Sequence, residues 1–333
     1  MIALLKYGCG LPFHRIEKLQ NHLGIPVPSS TQWDLIDAMA LRLSPLHDAL
    51  MVAAAQGSVI HNDDTTMKLL SFLKDQDPES TRKGIFTSAI VSRSGEHQIA
   101  LFMTGNRHAG ENLTQVLKNR ETGLAPAIQM CDALSRNVSK EFETLLVNCM
   151  AHARRKFAEL IDRFPEDCTH VIEVLGKVFH YDAIAGSQGM SDQQRLVFHQ
   201  THSAPLMIEL KTWCAKQVEE KLVEPNSGLG EAINYMLKRW DRLTGFVHIP
   251  GAPLDNNLCE RVLKFAILHR KNALFYKTQR GARAGDLFMS LIHTCQLEGV
   301  NPLDYLTWVL KNSDALKTCP DNYLPWNYDG STG

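Results

Sequence analysis

The sequence predicts a mixed α/β protein whose sheet portion is interrupted by a large all-helical block. Three observations predict it. β-rich segments begin at residue 57 and include a hairpin, with G-I-F-T-S-A-I-V-S-R and H-Q-I-A-L-F-M flanking S-G-E. Further short apolar runs then alternate with segments of helical spacing, as in a mixed sheet with flanking helices. Residues from about 160 to 245 carry almost no strand signal, and their apolar residues recur three to four apart.

The elements follow in order. R-I-E-K-L-Q-N-H-L-G predicts a helix that stops at Gly24, and a second helix restarts behind a proline and a Ser/Thr cap. Such a pair can be a DNA-reading helix-turn-helix or a plain helical hairpin; two prolines lengthen the turn beyond the usual three or four residues. G-S-V-I-H-N-D-D-T-T-M predicts a strand closed by the paired acids Asp63 and Asp64, and the hairpin follows. N-R-H-A-G-E-N-L-T-Q-V-L-K-N has helical spacing. A-I-Q-M-C-D is a fourth apolar run, closed by Asp132, and L-L-V-N-C-M a fifth, ahead of the helix A-H-A-R-R-K-F-A-E-L-I. After the helical block, G-A-P-L-D-N-N opens another long helix, L-E-G-V-N-P stops one helix and starts the next, and the tail L-P-W-N-Y-D-G-S-T-G reads as irregular. The expected divisions are a helical segment at 1–50, the first part of a sheet core at 51–160, a helical insertion at 161–250, a Glu-bearing helix with a basic segment at 251–295, and a C-terminal helical region at 296–333.

Composition limits the function classes. The 333 residues are 44% hydrophobic and 21% charged, an ordinary globular balance that excludes collagenous, low-complexity and disordered chains. Lys and Arg number 35 against 36 Asp and Glu, a formal net charge of −1, which argues against coating nucleic acid by bulk electrostatics but says nothing of local patches. No apolar run approaches a membrane span, and the N-terminus lacks a basic region and a cleavage site. The eight cysteines are scattered without a C-x-x-C, which fits reduced, buried thiols. A bacterial cytoplasmic protein without membrane partners is expected.

Three acids stand where a sheet protein can gather them: Asp63 and Asp132 at strand ends, and Glu260 near a helix start in D-N-N-L-C-E-R. Gathered carboxylates repel unless a cation neutralises them, and Mg²⁺, a hard ion, suits that task. Taken singly each acid is as readily structural: a cap or turn for Asp63-Asp64, a strand-end turn for Asp132, a surface partner of Lys264 for Glu260. The surroundings of Glu260 say more. From Arg261 to Arg283 stand Arg261, Lys264, Arg270, Lys271, Lys277, Arg280 and Arg283 with no Asp or Glu between them, a local phosphate-binding footprint, with Phe275 and Tyr276 as stacking faces. Arg154, Arg155 and Lys156 form a second basic cluster. Cys149 with His152, and His199 with His202, are half-sites that would bind structural zinc if they met.

Together these motifs resemble the insertion-sequence 66 family of bacterial transposases. L-D-N-N-L-C-E-R-V-L-K followed by H-R-K-N-A-L-F is similar to its Glu-bearing motif, C-M-A-H-A-R-R-K-F to its C-W-A-H-x-R-R-x-F, and H-N-D-D-T to the segment around its first catalytic Asp. L-E-G-V-N-P-L-D-Y-L and G-L-P-F-H-R-I-E also match, in the family's order. The resemblance implies a DDE-type transposase with a ribonuclease-H-like core, in which Asp63, Asp132 and Glu260 hold two Mg²⁺, with Mn²⁺ able to substitute. Asp64 replaces a family Glu and is not expected to bind metal. The implied reaction is cleavage at element ends followed by transfer of the freed 3′-hydroxyl to target DNA. Asn256 and Asn257 are expected to buttress the Glu-bearing turn or touch DNA; Arg154, Arg155, Lys156, Arg261, Lys264, Arg270, Lys271, Lys277, Arg280 and Arg283 are expected to hold phosphates. The implied partners are element-end and target DNA, further copies of the chain assembled on it, and other proteins of the same element, at the nucleoid.

The sequence departs from the family pattern at several points. Met150 replaces a Trp, His269 a Gly, and Asp132-Ala133-Leu134 the usual D-x-Y. Met1 falls almost at the start of the catalytic region, so the chain reads as a truncated copy. Two alternatives follow: an inactive remnant that binds DNA or interferes with an intact transposase, and a stand-alone nuclease that uses the same acids.

Overall fold

The computed structural model describes residues 1–74 and 84–330. The chain divides into two compact units. The first comprises Met1–Ala127, Arg136–Thr144 and Asn257–Gly333; the second comprises Ile128–Ser135 and Leu145–Asn256.

In the first unit a π-helical turn (Leu4–Gly8) precedes α1 (Phe13–His22) and α2 (Ser29–Ala55). The pair is a helical hairpin: Glu17 accepts hydrogen bonds from the Ser29 N–H and hydroxyl, and Gln32 bonds Gln20 and the Val27 carbonyl. Because α2 buries Ile36, Leu43, Leu46, Leu50 and Ala54 in the unit's core, it is a core element rather than a short reading helix laid on the surface. β1 (Val59–Met67), a short α3 (Leu70–Lys74), β2 (Ile85–Ser94) and β3 (His97–Gly105) follow. The three strands pair antiparallel with β2 in the middle. The hairpin turn is Gly95-Glu96, with Gly95 at φ +61°, the left-handed conformation a tight two-residue connection requires. One expectation changes here. Asp63 and Asp64 do not close β1; they sit in its middle, because Thr65, Thr66 and Met67 continue the ladder opposite Thr87, Phe86 and Ile85.

α4 (Ala109–Leu117) completes the first passage through this unit. The chain then crosses into the second unit for β4 (Ile128–Cys131) and β5 (Leu145–Asn148), a parallel pair. The helices α5 (Met150–Ala158), α6 (Pro165–Ser187), α7 (Asp192–His202), α8 (Ala204–Glu219), α9 (Gly228–Leu237) and α10 (Trp240–Leu243) follow. The strand-free block expected from residue 160 is present. These helices enclose their own apolar core, built on Phe157, Val171, Leu175, Leu210, Ile233 and Met236. Met150, standing where the family has Trp, is fully buried there. Together the units make a mixed α/β protein with antiparallel and parallel strands.

The chain returns to the first unit with α11 (Asn257–Ala273), α12 (Gln279–Leu297), α13 (Pro302–Lys311) and α14 (Ser313–Leu316). The tail closes in two short 3₁₀ turns, Pro320–Tyr323 and Pro325–Asn327; its last three residues lie outside the described ones. α12 covers the outer edge of β3 with side chains at four-residue spacing. Asp286 accepts from the Thr104 N–H at 2.8 Å, Ser290 from Phe102 at 2.9 Å, Thr294 from Ala100 at 3.1 Å and Glu298 from Gln98 at 2.7 Å. The edge donors are satisfied by a helix instead of a fourth strand. His269, the departure from a family Gly, is buried in an aromatic stack between Tyr7 and Tyr276, and burial beside Lys6 pushes its imidazole down to about 3. Among the described residues all eight cysteines are free thiols, and no helix is long and apolar enough to cross a membrane.

Candidate catalytic site

The acids of β1 point to opposite faces of the sheet, as neighbours in a strand must. Asp64 points towards α4. Its carboxylate meets His108 Nδ1 at 2.9 Å, the Ala109 N–H at 3.3 Å and Arg136 at 3.5 Å, and its side chain is 1% exposed. It sits at a helix N-terminus, where the helix dipole favours an anion. Asp64 thus ties the middle of β1 to the N-terminus of α4.

Asp63 is half-buried on the other face. Its Oδ1 accepts from the Asp64 N–H at 2.8 Å and from Asn137 Nδ2 at 3.4 Å. Asn137 is itself fixed, since its carbonyl accepts from the buried Asn62 amide at 2.7 Å. The cross-strand partner of Asp63 is Ala89, and the Ala89 carbonyl accepts from the Cys259 thiol at 3.4 Å. Cys259 immediately precedes Glu260 in the first turn of α11, the helix that packs on β1 and β2. The sequence thus brings Asp63 and Glu260 onto two packed elements, pinned by a contact between the neighbour of Glu260 and the cross-strand partner of Asp63.

The 136–138 segment that holds both acids of β1 rests against Gly110. A Cβ there would meet the Val138 carbonyl at 2.4 Å and the Arg136 carbonyl at 2.7 Å. Neither backbone atom can swing aside. Gly110→Ala is therefore expected to cost about 2 kcal/mol, in the range of overpacking, and to move Arg136 and Asn137 off their acids. Urea midpoints of the two proteins check this; equal midpoints would show that the segment yields freely.

Asp132 belongs to the second unit, one residue beyond the carboxyl end of β4 as expected. Its Oδ1 accepts from the Leu134 N–H at 3.1 Å, a side-chain turn that orients the carboxylate. Asn148 and Cys149 stand beside it at the end of the parallel partner β5, where the Cys149 N–H donates to the Cys131 carbonyl at 3.2 Å.

The basic residues divide by role. Arg261, Lys264, Lys271, Lys277 and Arg283 are exposed. Arg270 instead donates to Thr65 Oγ1 at 2.9 Å and to Thr66, tying α11 to the end of β1. Arg280 forms a two-pronged ion pair with Asp37 of α2. The acid that compensates the run is thus far away in sequence. Of the two expected stacking faces only Phe275 is exposed; Tyr276 is buried against His269. Asn256 is fully buried with its N–H on Cys149 Sγ at 3.2 Å, so of its two expected roles it fits the buttress; Asn257 is exposed at the start of α11. Arg155 and Lys156 are exposed on α5, and Arg154 is half-buried.

The second zinc half-site is used otherwise. His199 bonds Ser203 Oγ at 2.9 Å through Nδ1 and Asp182 at 3.1 Å through Nε2, which leaves no ring nitrogen for a metal. Burial pushes the Asp182 carboxyl up, but the His199 hydrogen bond and the neighbouring Arg195 outweigh it and hold the group below its ordinary value. Although this is a Ser–His–Asp string, Ser203 and His199 are buried and no substrate reaches them.

The Transposase IS66 family matches residues 1–284. The chain belongs to that family. It is similar to three proteins of Sinorhizobium fredii, each described as uncharacterized: y4hP, 27% identical over 97% of this chain and 60% of the relative; y4jD, 25% over 98% and 65%; and y4qI, 25% over 98% and 61%. The chain therefore spans somewhat under two thirds of the length of the curated relatives it matches. Within the IS66 family, the H-N-D-D-T and D-N-N-L-C-E-R motifs fall on β1 and at the start of α11, the packed pair described above.

Proposed function

We propose that this chain carries the catalytic core of a DDE-type transposase, with a ribonuclease-H-like sheet interrupted by the helical block. Membership of the IS66 family supports a transposase-related, DNA-processing role. The observation that carries the finer reading is the packing of β1 on α11, with the Cys259–Ala89 contact adjoining Glu260 on one side and Asp63 on the other. Asp63, Asp132 and Glu260 would hold Mg²⁺, or Mn²⁺ in its place; their carboxylate oxygens are the hard donors these ions prefer. A metal pair, when bound, activates an attacking oxygen and stabilises the leaving one. The chain's own residues do the rest. Asn137 and the Asp64 backbone fix one oxygen of Asp63, the Leu134 N–H fixes one of Asp132, and the exposed Arg261, Lys264, Lys271, Lys277 and Arg283 draw in phosphates. The substrates of this reading are element-end and target DNA, on which further copies of the chain and other proteins of the element assemble at the bacterial nucleoid.

The second reading is a remnant that binds DNA without cutting it. A strand-cleavage assay on element-end DNA with Mg²⁺ or Mn²⁺ separates the two. Wild type is expected to cut, and Glu260→Gln to lose at least about a hundredfold in rate, the equivalent of roughly 3 kcal/mol, while binding DNA as before. Cutting that survives in Glu260→Gln overturns the site; binding without cutting by wild type favours the remnant.

A further inference from the structure

In the second unit, α5 and its C-cap residue present His152, Arg155, Lys156 and Glu159 at one-turn spacing along a single stripe. That stripe, the Asp132 turn, Tyr235 near the end of α9 and Arg239 just beyond it line a concavity of about 270 Å³. The Tyr235 ring carries both cations that reach it: Lys156 Nζ lies 4.6 Å and Arg239 Cζ 4.2 Å from its centroid. Arg239 is steadied by a 3.4 Å bond to the Tyr235 carbonyl, four residues back. The aromatic platform thus holds two positive groups in one place without neutralising them, since a ring face attracts a cation but carries no net charge.

The charge balance points outward. Arg155, Lys156 and Arg239 line the concavity, yet none of them makes an ion pair among the described residues. The carboxylates of the lining, Asp132 and Glu159, number two against these three cations. Three cations converging on one small pocket repel each other, and an incoming anion relieves that repulsion. Arg155 and Arg239 offer planar forks, the donor shape that suits paired phosphate oxygens. The pocket's size admits one phosphate with part of its sugar.

We propose that this concavity is a phosphodiester-binding site for one strand of DNA, in which Arg155 and Arg239 grip the phosphate and Tyr235 holds Arg239 in place. The proposal rests on the transposase reading and deepens it. The helical block thereby acquires a part in binding DNA next to Asp132, through a residue, Arg239, that lies outside both basic clusters of the sequence.

Binding of a short single-stranded oligonucleotide, measured by fluorescence anisotropy in EDTA across a salt series, tests it without any need for cleavage. Arg239→Gln and Arg155→Gln are each expected to weaken binding roughly tenfold and to lower the slope of log K against log salt by about one. Because both residues grip one phosphate, the double variant should lose less than the product of the single losses. Lys238→Gln removes the same charge one residue away, on an exposed side chain outside this pocket, and is expected to change affinity less than twofold. Inorganic phosphate at matched ionic strength should compete with the oligonucleotide in wild type more strongly than in Arg239→Gln. If Arg239→Gln and Lys238→Gln weaken binding equally, the effect is general electrostatics and the site is overturned while the transposase reading stands. If wild type binds no DNA, the transposase reading falls and takes the site with it. Circular dichroism melts of each variant report folding, and the comparison is made at equal melting temperature.

Discussion

Asp63→Asn is expected to abolish metal-dependent strand cleavage while leaving the fold intact, whereas Asp64→Ala should unfold the protein more readily. The two acids are adjacent in sequence and opposite in environment. Asp63 is half-buried, and its Oδ1 accepts from one backbone N–H and from the Asn137 amide at 3.4 Å. An asparagine keeps an acceptor oxygen for both, so its effect on stability should stay below about 1 kcal/mol. What it removes is the charge, and a carboxylate that holds a cation is not replaced by an amide. A cleavage loss of at least about a hundredfold is the expected result. Asp64, by contrast, joins a strand to a helix N-terminus through His108, Ala109 and Arg136. Its removal strands two positive or polar partners, one of them only a quarter exposed, and should cost about 2 to 3 kcal/mol. Cleavage assays paired with urea titrations separate the two effects. The opposite pattern, with Asp64→Asn inactive and Asp63→Asn active, would reassign the metal-binding acid.

The second large effect concerns Asp286. Burial pushes its carboxyl up to about 7, against the opposing pull of the Thr104 hydroxyl and N–H and of the nearby Arg283; the buried phenols of Tyr7 and Tyr276 also face it. The unfolded chain releases the same proton near pH 4. Between those values the folded state binds more protons, so stability falls as pH rises from about 4 to about 7 and is level above. Asp286→Asn does not titrate, yet it retains an oxygen for the Thr104 N–H and an amide for the Thr104 oxygen. The Thr104 hydroxyl can then donate to Thr87, 2.9 Å away. The variant should match wild type at pH 4 and exceed it by about 2 to 4 kcal/mol at pH 8, the upper figure being three pH units at 1.36 kcal/mol each. Melting temperature against pH checks this. Parallel curves for the two proteins would show that the carboxyl is already ionised in the native state.

Much of the fold was legible because local chemistry agreed with the tertiary outcome. The hairpin at Gly95, the strand ahead of Asp132, the strand-free stretch from residue 160 and the helix that opens at the D-N-N motif all announce themselves through periodicity and turn residues. The exact placing of Asp63 and Asp64 did not. A strand was expected to end at two acids because acids rarely continue one; here the first is presented on one face and the second is buried against a helix N-terminus. The partners of the basic run were hidden for a related reason. Its lack of neighbouring acids suggested open cations, but Arg280 meets Asp37 and Arg270 meets Thr65 and Thr66, partners more than 200 residues away. Charge pairing of that range has no periodicity to read. Arg239 was missed for the converse reason: alone in a helical pattern it looks like any solvated surface base, and only the ring of Tyr235 and the stripe on α5 give it a direction.

The clasp of α12 on β3 joins two rulers of unequal pitch. Four residues of helix advance about 6 Å, while two residues of strand advance about 6.7 Å. Aligned at the centre, they drift apart by nearly an ångström at each end of the four-rung series. The side chains follow that drift. Short hydroxyls, Ser290 and Thr294, serve the two inner rungs, and longer carboxylates, Asp286 and Glu298, reach across at the outer two. The clasp therefore cannot be slid by one step, since either shift sets a carboxylate against a place sized for a hydroxyl.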